Sequence, residues 1–177
     1  MGGKDEIYRL ELIMSKLGIT PDIRSCVSAA GAKAEETNAP AVAIELPDGS
    51  IVTGKTSSLL GPASAALLNA LKKLAGIDDD ILLISPAVIE PIQKLKTHNM
   101  GNTNPRLHMD EVLIALAICA VTAPVAAKAL EQLEKLKCTE AHSTVILSRV
   151  DENVFKKLGV NLTCEPKYQT KKLYHPK

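Results

Sequence analysis

Residues Gly49 to Thr56 satisfy the spacing G-x-x-x-x-G-K-[ST] of a phosphate-binding loop. In such a loop, small and flexible residues let successive backbone N–H groups turn toward the phosphates. Here residues 51–53 are all β-branched, and β-branched residues favour an extended backbone. Because a strand-like run at 41–46 and turn residues at 47–50 precede them, the sequence predicts a β-hairpin and not a nucleotide-binding loop.

A second group of polar residues has the chemistry to hold a small anion. Lys55, Thr56 and Ser57 follow the second predicted strand, and Ser85 precedes Pro86 at the start of a predicted helix. In α/β sheets ligands gather at the carboxyl ends of strands, where helix N-termini offer free N–H groups and partial positive charge. We therefore expect phosphate or another small anion at these helix starts, with ordinary helix capping by Ser and Thr as the alternative.

Arg106, His108 and Asp110 lie in a polar segment before an apolar helical run. An arginine can clasp an oxyanion with two N–H groups, and a histidine exchanges a proton near neutral pH. Asp110 is expected to cap the helix, and Arg106 has the alternative role of tying the loop down by hydrogen bonds. No residue is predicted to be catalytic. The complete set of predicted ligand-binding residues is Lys55, Thr56, Ser57, Ser85, Arg106 and His108.

The composition of the chain limits the classes of molecule that it is expected to bind. The chain has 177 residues, 46% of them apolar, which suffices for one compact domain with a sizeable core. Its net charge is +1 and it has no Trp, so neither electrostatics nor base stacking favours nucleic acid. The longest uncharged apolar run, residues 112–125, is too short to span a bilayer, and no membrane partner is expected.

The four cysteines are widely spaced, and no C-x-x-C pair is present. Zinc-site spacing is therefore missing, and we predict neither a metal nor a cofactor. The first residues alternate charged and apolar side chains and do not resemble a signal peptide, so a cytoplasmic location is expected.

Hydrophobic periodicity predicts an N-terminal helical segment over residues 1–38, followed by an α/β domain over residues 39–177. A leading hairpin followed by alternating helices and strands favours a three-layer α/β/α sandwich whose later crossovers are parallel. The predicted elements, in order, are helices 5–17 and 20–36, strands 41–46 and 50–54, helix 57–74, strand 81–84, helix 86–96, helices 110–121 and 123–137, strand 142–147, helix 151–158 and strand 160–163.

This layout resembles the cytidine-deaminase-like fold. Zinc deaminases need a His or Cys ligand with a Glu at the first helix start and a Pro-Cys-x-x-Cys turn at the next. The corresponding places here read Pro62-Ala63-Ser64 and Pro86-Ala87-Val88-Ile89, and none of these side chains ligates zinc. Deaminase activity is therefore excluded on ligand chemistry, although the scaffold resembles that fold.

Four segments are similar to the C-terminal region of an uncharacterised bacterial family, domain of unknown function 1846. They are Leu46–Ser57, Ser85–Leu95, Asn104–Leu116 and Lys157–Thr163. The resemblance implies a C-terminal domain related in topology to the deaminase fold, in a protein of unestablished role. It also implies that full-length members carry a large N-terminal region with its own Gly-rich, Lys-containing loop, which this chain lacks. No catalytic residue can be transferred from the family.

Two functions compete. The first is a non-catalytic accessory or assembly domain, whose Ala-rich helices over 110–136 contact another copy or the N-terminal region. The alternative is a half-site for a phosphate- or nucleotide-like ligand, catalytic or not. The test between them is whether Arg106 and His108 converge on the helix starts in space. The basic tail over 167–177 is expected to be a solvated end, or else a docking segment.

Overall fold

The computed structural model describes residues 3–169, and that part holds seven α-helices and a four-stranded sheet. Single turns of other helix types lie at Pro21–Ile23, Leu95–Asn99 and Leu133–Leu136. None of the described helices is long and apolar enough to cross a membrane. The main elements are α1 Gly3–Leu17, α2 Ser25–Thr37, β1 Ala41–Glu45, β2 Ile51–Lys55, α3 Pro62–Ala75, α4 Pro86–Lys94, α5 Met109–Ala120, α6 Pro124–Leu130, β3 Glu140–Ser143, α7 Arg149–Leu158 and β4 Asn161–Cys164.

The sheet has the strand order β2-β1-β3-β4. Strand β1 is antiparallel to both β2 and β3, whereas β3 and β4 are parallel. The predicted α/β class is confirmed. Because β2 and β3 are both antiparallel to β1, the crossover from β2 to β3 joins strands of the same direction, as does the crossover from β3 to β4; the later crossovers are parallel, as predicted.

Helices cover both faces of the sheet, which gives three layers. Alternate residues of a strand point to opposite faces. On one face Ala43 packs against Cys26 and Ala30 of α2. On the other, Val42 and Ile44 join the main core, whose largest buried members on the helices are Leu67, Leu71, Leu116 and Phe155. Helix α1 contributes little to either layer, since all of its large apolar side chains except half-buried Met14 are 43–66% exposed.

The predicted hairpin is confirmed. Gly49 takes a positive φ of 79° in the turn, and its N–H donates to the Leu46 carbonyl at 2.9 Å. Successive N–H groups of an extended strand point in opposite directions, so residues 51–55 cannot form a phosphate cradle. Gly54 has a packing role: a Cβ at this position would lie 2.0 Å from the backbone nitrogen of Ala66. The second glycine of the pattern therefore lets α3 lie directly on β2.

The predicted strand at 81–84 is wrong, because the segment is irregular. Leu83 and Ile84 are buried, but Ile81 and Leu82 are 40% and 68% exposed. A strand in the middle of a covered sheet would bury all of these side chains. The segment instead covers one side of the core, and β3 occupies the place beside β1.

Two predicted helix starts near the candidate ligand residues are also wrong. Helix α3 begins at Pro62 and not at Ser57, because the Ser57 hydroxyl accepts the N–H groups of Leu59 and Leu60 at 3.2 and 3.0 Å in a preceding turn. Helix α5 begins after His108 and not after Asp110, which is exposed in its first turn.

Several other predicted boundaries shift. The predicted helix at 123–137 divides into α6 and a 3₁₀ turn, because Gln132 donates to the carbonyl three residues earlier, at Ala129. Strand β3 lies at 140–143 and not at 142–147, since the Ser143 hydroxyl bonds the backbone of Val145 and turns the chain. Most of the basic tail, from residue 170 onward, lies outside the described residues.

The close approach at Gly54 gives a stability prediction. We expect Gly54→Ala to lower the free energy of unfolding by about 3 kcal/mol, because the added methyl group meets helix backbone that must shift. Urea unfolding measures this. Gly31→Ala in α2 is the matched control, since a Cβ there meets nothing within 4 Å and alanine favours a helix. Equal effects of the two substitutions would contradict the packing role.

The strand conformation of residues 51–55 gives a second prediction. We expect titration calorimetry with Mg-ATP to show no micromolar complex, because the N–H groups of β2 cannot converge on phosphates. Tight binding that Lys55→Ala abolishes would show that the segment works as a phosphate loop.

Candidate functional site

A cavity of about 280 Å³ opens where the N-terminal ends of α3, α5 and α7 meet. Helix α3 follows β2 and α7 follows β3, and these two strands run in the same direction because both are antiparallel to β1. The cavity therefore lies beyond the carboxyl ends of β2 and β3, where α/β sheets bind ligands. Its polar lining comes from Asn102, Thr103, Asn104, Arg106, His108, Ser148, Asp151 and Gln169.

His108 is held against Asp151. The Nδ1 atom of His108 lies 3.0 Å from Oδ2 of Asp151, and Oδ1 of Asp151 accepts the N–H of Met109 at 2.9 Å. The Asp151 side chain is only 8% exposed. The hydrogen bond to Asp151 raises the pKa of His108 above its usual value, against the opposing effect of burial. Two further charges act on the ring: Lys96 lowers this pKa and Glu111 raises it.

This arrangement fixes which nitrogen of His108 is available. Because a carboxylate only accepts hydrogen bonds, a neutral His108 carries its proton on Nδ1 and has a lone pair on Nε2. No described residue bonds Nε2. Ser148 lies 3.2 Å from Nδ1, on the same side of the ring as Asp151. Ser148 therefore caps α7 and is not placed as a nucleophile, which would require contact with Nε2.

One side-chain nitrogen of Arg106 is held by a hydrogen bond, and the other two bond no described residue. Its Nε donates to the carbonyl of Ser57 at 2.7 Å. Its two terminal nitrogens make no hydrogen bond to any described residue. The side chain thus ties its loop to the segment before α3, which is one of the two roles that the sequence suggested for it. Its terminal nitrogens still form a planar pair of donors.

A partly buried ion pair between Lys96 and Glu111 stabilises the loop that carries Arg106. Lys96 is 4% exposed, and its Nζ donates to Oε2 of Glu111 at 2.7 Å and to the carbonyl of Arg106 at 2.8 Å. The same Glu111 oxygen accepts the N–H of His108 at 2.8 Å. Lys96 lies in the π-helical turn Leu95–Asn99, and such turns occur frequently at functional sites. The pair fixes the backbone on both sides of buried Leu107.

The structure brings together some of the predicted ligand residues. Arg106 and His108 line the cavity, and Ser57 contacts Arg106 through its carbonyl. Thr56 is connected at the margin, because its hydroxyl accepts from Gln169 at 3.2 Å. Lys55 and Ser85 are exposed and do not line the cavity. Ser85 does begin α4, as predicted, but at the end of an irregular segment.

Sequence reasoning missed Asp151, Ser148 and the Lys96–Glu111 pair. The S-x-x-D spacing of Ser148 and Asp151 was a readable helix-start signal, and Ser148 indeed accepts the N–H of Asp151 at 3.1 Å. Lys96 had no local signal, because its partner is distant along the chain. Among the described residues, no three His, Cys, Asp or Glu side chains are grouped to hold a metal ion.

Comparison with known proteins places this geometry in a family. Residues 22–174 match the family described as "Domain of unknown function DUF1846, C-terminal". The chain is 56% identical over 168 residues to a UPF0371 protein of Streptococcus thermophilus, covering 95% of this chain and 34% of that protein. It is 54% identical over 172 residues to a UPF0371 protein of Streptococcus pneumoniae, covering 97% of this chain and 35% of that protein.

The chain thus spans about a third of the length of the curated relatives that it matches. The relatives named above carry no biochemical activity in their names. The resemblance that the sequence showed to this family is confirmed, and the chain belongs to the family Domain of unknown function DUF1846, C-terminal.

Proposed function

We propose that this chain is an accessory domain of a larger protein and that it forms one wall of a binding site for a small oxyanion, of the phosphate or carboxylate class. One observation carries the proposal: Arg106 and His108 line the same cavity, and neither the terminal nitrogens of Arg106 nor Nε2 of His108 bond any described residue. A planar guanidinium and an imidazole N–H together match the oxygens of such an anion.

The balance of charge in the cavity favours a single small anion. The partly buried pair of Lys96 and Glu111 is neutral overall, and so is the pair of protonated His108 with Asp151. Arg106 then supplies the one unbalanced positive charge. When His108 is neutral, Asp151 cancels Arg106, and the attraction for an anion weakens.

The N-terminal ends of α3, α5 and α7 contribute unequally to the proposed binding of an anion. The first N–H of α5 is already bonded to Asp151, and the Ser148 hydroxyl caps α7. The start of α3 at Gly61 and Pro62 lines the cavity and adds partial positive charge. Side chains, more than helix N–H groups, therefore carry the proposed recognition. The cavity volume of about 280 Å³ favours a small ligand.

Assembly is the second candidate function, with the remainder of the longer polypeptide as the partner. Helix α5 exposes a row of apolar side chains at i, i+4 and i+7, namely Ile114, Ile118 and Val121, which are 63%, 63% and 82% exposed. Such a row on a helix favours coverage by another structural element. Relatives about three times as long as the chain supply the polypeptide to cover it.

The finer fold assignment also stays a proposal. A deaminase-like arrangement is supported by the leading hairpin, by α3 lying on it, and by helices on both sheet faces. The irregular segment at 81–84 stands where that arrangement expects a strand. An experimental structure of a full-length relative that shows a strand there would support the kinship.

Anion binding has a direct test. We expect phosphate, titrated into the chain and followed by amide NMR shifts, to perturb residues 102–108 and 148–151. Arg106→Ala should weaken binding about tenfold, because it removes charge-assisted hydrogen bonds. Lys55→Ala is the matched control, since Lys55 lies outside the cavity, and it should leave binding unchanged. Shifts confined to Lys171 and Lys172, or indifference to Arg106→Ala, would contradict the proposal.

The His108–Asp151 pair gives a prediction for pH. We expect Asp151→Asn to lower the pKa of His108 measured by NMR titration of its ring, because the charged acceptor is lost. Asp110→Asn is the matched control, because Asp110 is exposed and makes no hydrogen bond to the ring. Equal shifts in both variants would show that Asp151 has no special effect.

The same substitution changes stability in a defined pH window. The folded pKa of His108 is raised, so the pair contributes fully below the unfolded pKa of about 6.5 and loses its contribution as pH rises through the folded value. We expect Asp151→Asn to cost about 2 kcal/mol in urea unfolding at the acidic end of that window, and less above it. A cost that does not change with pH would contradict the linkage.

A further inference from the structure

The outer edge of β4 carries main-chain groups that no described strand pairs. β4 is the last strand in the sheet order, next to β3. The N–H groups of Asn161 and Glu165 point toward β3 and donate to Thr139 and Ser143, both at 2.8 Å. Since successive residues alternate in direction, the N–H and C=O groups of Leu162 and Cys164 point outward. These are the groups that a further strand would bond.

An open groove of about 730 Å³ runs along this edge. On one face it is lined by Glu140 and Arg24, which already bond each other, and Arg24 also donates to the hydroxyl of Thr163. On the other face it is lined by Glu152 and Lys156 of α7, which are exposed and form no ion pair with any described residue. One face is therefore internally satisfied, and the other offers two unpaired opposite charges.

The charges on the α7 face are ordered along β4. Because α7 connects the parallel strands β3 and β4, it runs in the opposite direction to them, so Glu152 near its start lies toward the Cys164 end of β4. Lys156 lies one helical turn later, toward Gly159 and the start of the strand at Asn161. The edge is thus positive near its beginning and negative near its end.

We propose that this edge binds a second copy of the chain by antiparallel pairing of β4 with β4. In this register Thr163 lies on the two-fold axis, and Leu162 of each copy exchanges main-chain hydrogen bonds with Cys164 of the other. Among the two-fold registers, this one places both outward-pointing residues of β4 in hydrogen-bonded pairs. It joins the two sheets into one continuous sheet.

The order of charges identifies a second copy as the occupant. A two-fold interface must be complementary to itself. Antiparallel pairing brings Lys156 of each copy opposite Glu152 of the other, so both unpaired charges find partners. Leu162 and Cys164, which are half-buried against the core, are covered at the same time. The strand has no proline and no inward-pointing charge to discourage this pairing.

Charge reversal tests the pairing. We expect sedimentation equilibrium over a concentration series to show a monomer–dimer equilibrium. Lys156→Glu should raise the dimer Kd about tenfold, because each dimer gains two repulsive contacts. Adding Glu152→Lys to the same chain should restore the Kd, since the complementary order is then reversed in both copies. Lys157→Glu, the neighbouring exposed residue outside the groove, is the matched control and should have little effect.

Cross-linking tests the register independently. A non-hydrogen-bonded antiparallel pair brings its Cα atoms to about 4.5 Å, within reach of a disulfide. We expect Thr163→Cys, in a Cys138→Ser background that removes the exposed native thiol, to form a covalent dimer on mild oxidation. Asn161→Cys is the control, because in this register its two copies lie roughly 13 Å apart.

Two results would overturn the proposal. One is a monomer at every concentration together with no cross-linking of Thr163→Cys. The other is a dimer whose Kd is unchanged by Lys156→Glu and in which Asn161→Cys cross-links as readily as Thr163→Cys. Neither outcome bears on the anion site, because the cavity and the β4 edge have no lining residue in common.

Discussion

The carboxylate of Asp151 is the contact on which the candidate site depends. Asp151 lies in the first turn of α7. Its carboxylate accepts hydrogen bonds from the first N–H of α5, the ring N–H of His108 and the hydroxyl of Ser148. Its side chain is nearly buried, so an unpaired negative charge there would be costly. The hydrogen bonds from the starts of α5 and α7 and from His108 together offset this cost. Because all these groups converge on one carboxylate, α5 cannot move relative to α7 without breaking the site.

The hairpin sets the other boundary of the cavity. Gly54 allows α3 to lie against β2, and this contact fixes where the start of α3 can be. The segment between β2 and α3 is then bonded to the loop of Arg106, through Leu59, Leu107 and Gly61. A sequence pattern associated with phosphate binding thus builds the scaffold beside the cavity, without lining it. The glycine serves close packing, and the lysine after it remains on the surface.

Local sequence signals predicted the fold well wherever residues adjacent in the sequence determine the structure. The hairpin follows from β-branched residues around a Pro-Asp-Gly turn, and the ends of α3 and α7 follow from Gly76 and Gly159. The apolar run at 81–84 misled because periodicity cannot tell a buried strand from a loop that covers a core. Arg106 and His108 were predicted as candidates because polar residues in a loop are conspicuous. Asp151, Lys96 and Glu111 were not, since their roles arise only when distant elements meet.

Binding of the proposed anion would be coupled to a proton. An anion beside Arg106 and His108 adds negative charge near a ring whose pKa Asp151 already raises. Its binding therefore favours the protonated ring further, and by reciprocity protonation favours the anion. The guanidinium of Arg106 attracts the anion, and protonation of His108 makes the total attraction adjustable. The partly buried pair of Lys96 and Glu111 keeps Arg106 and His108 in place without adding net charge. A single small negative charge completes the balance of this cavity, and a second one would face Asp151 without compensation.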